Sequence, residues 1–97
     1  MQYRQGDILL EQCTTIPATA THRADPVLAH GEATGHCHTA EGDVTLYERD
    51  GVLYLDVGPA GVTIIHQEHD SLALTVGAWR VTRQREYTPE AIRNVSD

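Results

Sequence analysis

The sequence predicts an all-β protein, a small antiparallel β-barrel or sandwich that ends in a short helix. Two observations predict this class. Apolar residues recur at every second position far more often than at the helical period, and turn residues arrive about every eight to twelve positions. The 97 residues are expected to form a single domain, 1–97, because domains usually contain ~50–200 residues.

A hairpin over residues 44–57 is the clearest element. Asp50-Gly51 separates two alternating apolar runs, and glycine adopts a positive φ angle without steric cost. The other predicted strands share this alternation and cover residues 8–12, 27–30, 62–66, 71–76 and 78–87. These strands account for most of the predicted core.

The segments between the predicted strands carry turn and loop residues. Residues 58–61, Gly-Pro-Ala-Gly, predict a turn, and residues 13–26 have no sustained period and predict a long irregular segment. Thr88 suits the N-cap of a helix and Pro89 its first position, where the missing N–H costs nothing. We therefore expect a short C-terminal helix.

Charge and composition exclude several classes of function. The formal net charge is −7, from 14 acidic residues against seven arginines and no lysine, which disfavours nucleic-acid and anionic-membrane partners. Arg80, Arg83 and Arg85 follow Trp79, but alternating charges on a strand are more typical of a solvated sheet face. No apolar run approaches ~20 residues and no signal-peptide pattern is present, so we expect a cytoplasmic protein without a membrane partner. The two cysteines, Cys13 and Cys37, are expected to be reduced.

Histidines carry the strongest functional signal. Of the six, His36 and His38 are two positions apart, so in a strand both rings project from one face while Cys37 points away. Such a pair suits two neighbouring ligands of one metal ion. His66 falls on the same strand face as Val62 and Ile64, which places it inward as a further ligand.

Several residues compete to complete this site. His69 would join it if the two residues after His66 form a turn, and His30 lies one strand earlier. The nearby carboxylates are Glu32, Glu41 and Glu68. Two histidines at this spacing also occur on solvated strands that bind no metal, so the second group after residue 61 is what favours a metal site.

The segment 31–66 resembles the two metal-binding motifs of the cupins, which are small β-barrels. Gly31-Glu-Ala-Thr-Gly-His36-Cys-His38-Thr-Ala-Glu41, followed by Pro59-Ala-Gly61 and His66, carries this resemblance. It implies that His36, His38, Glu41 and His66 ligate a divalent metal inside a barrel. The segments His-Gly-Glu-x-Thr-Gly-His-x-His and Gln84-Arg-Glu-Tyr-Thr-Pro-Glu90 are also similar to short uncharacterised bacterial and phage proteins.

These observations together predict a histidine-rich β-barrel that binds one divalent transition metal, Zn, Fe, Ni, Mn or Cu. The expected ligands are His36, His38, His66 and His69. The same site would suit a small metalloenzyme, because open coordination positions can activate water or bind dioxygen, although the sequence names no substrate. A homo-oligomer is expected, since so short a chain gains by burying its sheet edges. The alternative is a non-catalytic oligomeric module whose histidines are interface residues or a protonation switch.

Overall fold

Ten β-strands make up the regular structure of the residues that the structure describes. The computed structural model describes residues 1–30, 36–83, 85–87 and 92–94. The strands are β1 Gln2–Gln5, β2 Ile8–Cys13, β3 Thr21–Arg23, β4 Val27–His30, β5 Cys37–Arg49, β6 Val52–Ile65, β7 Leu72–Leu74, β8 Gly77–Arg83, β9 Arg85–Tyr87 and β10 Ile92–Asn94. The prediction of an all-β protein is confirmed.

Eight of these strands form one antiparallel sheet in the order β1-β2-β8-β6-β5-β3, with β4 paired to β5 and β7 paired to β6. Strands β9 and β10 pair separately. Because the path through the larger sheet ends at β1 and β3, the described strands do not close into a barrel. The prediction of a barrel is therefore corrected. The long strands β5 and β6 each pair with different strands at their two ends, and this pairing does not close the sheet.

The described residues contain no helix. They therefore include no helix that is long and apolar enough to cross a bilayer. The predicted C-terminal helix would begin at Thr88 and Pro89, which lie outside the described residues. Where the chain is described again, Ile92–Asn94 is a strand that pairs with Arg85–Tyr87. The helix is therefore not confirmed.

The β5–β6 hairpin forms as its turn residues predict. Asp50 has a φ of 52° and Gly51 a φ of 78°, the pair of positive values that a type I′ turn requires. This turn matches the right-handed twist of the strands, so the hairpin pairs from Arg49 and Val52 back towards the start of β5.

Residues 58–61 do not form the predicted turn, and β6 runs through them. The register of β5 against β6 shifts between Gly42 and Val44, so both strands bend together at this point. A Cβ atom on Gly42 would lie 2.7 Å from the Gly61 carbonyl oxygen, so only glycine permits this approach. The irregular pairing at the bend also tolerates Pro59, which has no N–H to donate.

The bend gives the two halves of β6 different neighbours. The first half pairs with β8 and the second half with β7, and the buried positions change from odd to even residue numbers across the bend. Val62 and Ile64 are buried, as is His66 immediately after the strand. The sequence prediction that these three residues share an inward face is confirmed.

Other boundaries differ from the sequence expectations. The irregular segment 13–26 contains the short strand β3, which pairs with the far end of β5. The strand predicted over 71–76 is shortened to β7, and that over 78–87 divides into β8 and β9. Trp79 lies in the core, 1% exposed, and its indole N–H donates to the Thr75 carbonyl at 3.0 Å.

Candidate functional site

Four histidines meet on the inner side of the bent sheet. The ring centroids of His38 and His66 are 4.4 Å apart, and those of His66 and His69 are 4.6 Å apart. His36 lies 5.7 Å from His66, and His38 lies 6.3 Å from His69. The structure therefore brings together all four histidines that the sequence singled out.

Two segments of chain deliver these rings. His38 lies on β5, with His36 just before that strand, and both are on the inward face by the alternation that the sequence predicts. His66 directly follows β6, and His69 lies in the connection to β7. The Cys37 N–H donates to the Gln67 side-chain oxygen at 3.0 Å, which ties the two segments together.

His38 is fully buried and its tautomer is fixed by Gln5. The Gln5 amide nitrogen donates to the carbonyl oxygens of Ile64 at 2.9 Å and Asp70 at 2.8 Å. The Gln5 oxygen must then face Nδ1 of His38, 2.8 Å away, and accept from it. A neutral His38 therefore carries its proton on Nδ1 and a lone pair on Nε2.

Asp7 faces this lone pair. Its Oδ1 lies 3.1 Å from Nε2 of His38, and its Oδ2 accepts from Nε of Arg83 at 2.5 Å. Asp7 is 1% exposed, so the carboxylate sits between a buried imidazole and a guanidinium. A charged carboxylate at this depth requires such partners, since an unpaired buried charge is strongly disfavoured.

Burial is the largest influence on the pKa of His38, and it lowers that pKa from its ordinary value. The neighbouring His66 and His69 lower it further, while the hydrogen bond and charge of Asp7 act in the opposite direction without reversing the shift. In a protonated His38 the Nε2–H would donate to Asp7, whereas the lowered pKa favours the neutral ring. Its Nε2 lone pair and the Asp7 oxygen are then two acceptors at contact distance, an arrangement that a shared cation between them would stabilise.

His66 and His69 complete the inner side of the cluster. Nδ1 of His66 accepts from the Glu68 N–H at 3.0 Å, so the proton of a neutral His66 is on Nε2. Nε2 of His69 is buried and has no hydrogen-bond partner among the described residues. A Cβ atom on Gly6 would lie 2.7 Å from this nitrogen and 3.3 Å from Cε1 of His38, so the bare glycine makes room for both rings.

The distances between the rings suit a shared metal ion, but the directions of their nitrogen atoms suit it less well. Two imidazoles on one ion at ~2.1 Å have centroids about 4.5 Å apart at a right angle and about 6.4 Å apart in line, close to the observed separations. Within the described residues, however, no group of three or more His, Cys, Asp or Glu side chains has its donors placed to hold a metal.

The other sequence candidates have different positions. Glu41 is exposed on the sheet face opposite His38, so it does not reach the cluster as the cupin resemblance implied. Glu68 is nearer, with Oε1 3.5 Å from Nδ1 of His36. His30 pairs in register with Cys37, and Glu32 lies outside the described residues. The Cys37 Sγ atom lies 3.5 Å from the Thr39 hydroxyl, on the face away from the histidines, and neither cysteine is in a disulfide.

A family model described as a domain of unknown function (DUF8820) matches residues 4–84. The chain belongs to this family. The matched segment of the DUF8820 domain contains the whole cluster, from Gln5 to Arg83, and the match gives no support to the cupin resemblance. No curated protein and no solved structure matches the chain.

Sequence reasoning missed three polar residues of the site in this DUF8820 domain, Gln5, Asp7 and Arg83. Gln5 ends β1, Asp7 directly precedes β2 and Arg83 ends β8, so in the sequence they are ordinary polar residues at the ends of strands. One signal was available. Gly6 between Gln5 and Asp7 indicates a tight turn, which the structure forms with a φ of 58° at Gly6, but the sequence does not show that this turn places the two polar residues against His38.

Proposed function

We propose that the histidine cluster binds one divalent transition metal ion, with Nε2 of His38 and Oδ1 of Asp7 as the first two ligands. The observation that carries this proposal is the 3.1 Å contact between these atoms, with the His38 proton held on Nδ1 by Gln5. Metal-bound histidines generally donate their other ring N–H to a fixed acceptor, which is the role that Gln5 has here.

The distances around this pair support the proposal. A nitrogen and an oxygen 3.1 Å apart, each ~2.1 Å from one ion, subtend an angle of about 95° at that ion, which suits neighbouring ligands. Nε2 of His69 is the third ligand, because it is buried, lacks a partner among the described residues and faces His38 across Gly6. His66 joins by transferring its proton or rotating its ring, and His36 lies on the more open side, beside Glu68.

A metal held in this way would supply Lewis-acid chemistry to a molecule that reaches its open side. The protein's own groups would orient the donors. Gln5 fixes the His38 ring, and Arg83 holds the second oxygen of Asp7, so that Oδ1 is directed at the site. The side chain of His36 is 27% exposed and that of Glu68 is 53% exposed, which marks the side from which a ligand would enter.

Metal titration of the untagged protein tests this function. Purified protein is stripped with a chelator, and Zn²⁺ is added while bound metal is measured by mass spectrometry and calorimetry. Co²⁺ then reports the ligand field through its visible absorption. We expect one ion per chain, and losses of more than about tenfold in affinity for His38→Ala and for His69→Ala, since each removes a direct ligand.

His22→Ala is the matched control for these variants. His22 lies on β3, with its ring centroid 5.9 Å from that of Tyr47 and outside the cluster, so removing it deletes a histidine without touching the site. It should bind metal like the wild type. Wild-type protein that takes up no stoichiometric metal would overturn the proposal, and so would equal affinity in the wild type and the His38→Ala variant.

A further inference from the structure

The two carboxylate oxygens of Asp7 face different partners. Oδ1 lies 3.1 Å from Nε2 of His38, and Oδ2 accepts from Nε of Arg83 at 2.5 Å. Asp7 is 1% exposed, so these two contacts fix the orientation of the carboxylate with little competition from water. Oδ1 is therefore the oxygen that Asp7 directs at the histidine cluster.

The register of the sheet brings Arg83 to this position. Arg83 ends β8 and is the cross-strand partner of Ile8, which follows Asp7 in the chain. The Arg83 side chain therefore lies beside the β1–β2 turn, and it is 28% exposed. Its charge balances that of the buried carboxylate, which would be strongly disfavoured without a partner. The formal charges of Asp7 and Arg83 thus cancel before any ion binds.

The contact with Arg83 limits how the carboxylate of Asp7 can bind an ion. A carboxylate binds a metal ion through one oxygen or through both. An ion that bound Oδ2 as well as Oδ1 would share Oδ2 with the Arg83 N–H. Bonds of ~2.2 Å and 2.5 Å that meet at ~120° would leave the ion about 4 Å from Nε of Arg83. Two positive charges at this distance in a buried site repel each other, so Arg83 opposes bidentate binding.

Metal ions differ in what they lose by this restriction. Zn²⁺ is typically four-coordinate and accepts imidazole nitrogens together with a single carboxylate oxygen. Mn²⁺ favours octahedral sites that are rich in carboxylate, carbonyl and water oxygens. It therefore loses more than Zn²⁺ does when Oδ2 is withheld and the remaining donors are the nitrogens of His38 and His69.

We propose that Arg83 is a positioning residue that sets the metal selectivity of the site. By donating to Oδ2, it limits Asp7 to one bond with the ion, and so favours a four-coordinate ion such as Zn²⁺ over an oxygen-preferring ion such as Mn²⁺. This inference rests on the metal site proposed above. Gln5 acts on His38 in the same way, so each of the first two ligands is oriented through its other polar atom.

Two substitutions at position 83 separate the hydrogen bond from the charge. The amide nitrogen of glutamine is as many bonds from the backbone as Nε of arginine, so Arg83→Gln keeps a donor for Oδ2 and removes the charge. Methionine has a similar length and no N–H, so Arg83→Met removes both. The ratio of Zn²⁺ to Mn²⁺ affinity is measured in each variant, by competition with a chromophoric chelator for Zn²⁺ and by electron paramagnetic resonance of free Mn²⁺.

The ratio of affinities should fall about tenfold or more in Arg83→Met, because the second oxygen of Asp7 becomes available to Mn²⁺. Arg83→Gln should keep the ratio of the wild type and bind both ions more tightly, since a nearby positive charge is gone. The visible absorption of four-coordinate Co²⁺ should weaken in Arg83→Met alone. Arg80→Met is the control, because Arg80 lies on the same strand and pairs with Glu11 at 2.8 Å on the outer face, so its affinities should equal those of the wild type.

A merely structural role of Arg83 would change both affinities together and leave their ratio unchanged. The fold of Arg83→Met is checked by thermal melting, because this variant removes a partner of buried Asp7. The wild type gives a measurement that needs no variant: in Zn²⁺-loaded protein, nuclear magnetic resonance should show an Arg83 Nε–H proton that exchanges slowly with water, because the bond to Asp7 persists.

Loss of this signal when Zn²⁺ binds would overturn the inference, and so would an unchanged ratio in folded Arg83→Met or an equal fall of the ratio in Arg83→Gln. Each of these results would leave the metal site itself standing. A wild type that binds no Zn²⁺ would instead overturn the metal site, and the role of Arg83 with it.

Discussion

Substitution of Gly6 by alanine tests whether the histidine rings depend on the space that this glycine leaves. Two effects add. The φ of 58° costs a residue with a Cβ atom ~1–2 kcal/mol. The new Cβ would also lie 2.7 Å from Nε2 of His69 and 3.3 Å from Cε1 of His38. His69 can swing aside, but His38 is held by Gln5 and Asp7, so we expect a further overpacking cost of ~1–3 kcal/mol.

The assay is urea unfolding of metal-free Gly6→Ala beside Gly51→Ala. Gly51 has a φ of 78°, and a Cβ atom there would meet nothing within 4 Å, so this variant carries the backbone cost alone. The difference between the two variants should be ~1–3 kcal/mol, and adding His69→Ala to Gly6→Ala should recover part of it. Equal destabilisation by the two glycine substitutions would refute the reasoning.

Three further outcomes follow from the same contacts. The pKa of His38 is lowered in the fold, so as the pH falls the unfolded chain takes up a proton before the folded protein does. The free energy of unfolding of the metal-free protein in urea should therefore decrease below pH ~6.5, by at most ~1.4 kcal/mol per pH unit. A free energy of unfolding that does not change with pH in this range would contradict this. Gln5→Leu should destabilise the protein by ~2–4 kcal/mol, because it leaves the buried Ile64 carbonyl, the part-buried Asp70 carbonyl and the His38 ring without their partner. Gln12→Leu, at an exposed position, should change stability by less than ~0.5 kcal/mol in the same assay. Trp79→Ala should lower the free energy of unfolding by ~3–5 kcal/mol, measured by thermal or urea unfolding. Val76→Ala should change it very little, because Val76 is 57% exposed. Similar losses of stability in both variants would contradict the position of the core.

Local rules predicted the parts of the fold that local chemistry determines. Asp50-Gly51 specifies its own turn, and the alternation around it specifies which side chains are buried. Residues 58–61 predict a turn but form a bend within β6, because glycine and proline are typical of both features. What distinguishes them is the partner strand, since Gly42 and Gly61 approach across the β5–β6 pair. Such pairing is non-local, and one segment of sequence does not reveal it.

The same distinction applies to the site. The histidines are predictable because alternation in a strand places His36 and His38 on one face, and the second group, His66 and His69, follows residue 61. Gln5 and Asp7 have ordinary side chains at ordinary positions, and they acquire a role only when the sheet curls the β1–β2 turn onto His38. Their roles depend on contacts between distant segments, which residue type and spacing do not encode.

The long β5–β6 hairpin has a consequence for the order in which the molecule assembles. Its contacts close a two-residue loop, so it is expected to form early, whereas the contact between Asp7 and Arg83 joins residues 76 positions apart and must await the docking of both ends of the chain. We therefore expect the buried polar network to form after the hairpin and to open before it. Hydrogen exchange should be slowest along the hairpin and faster around residues 5–7, and an ion bound there would slow exchange at the chain's beginning before it altered the hairpin.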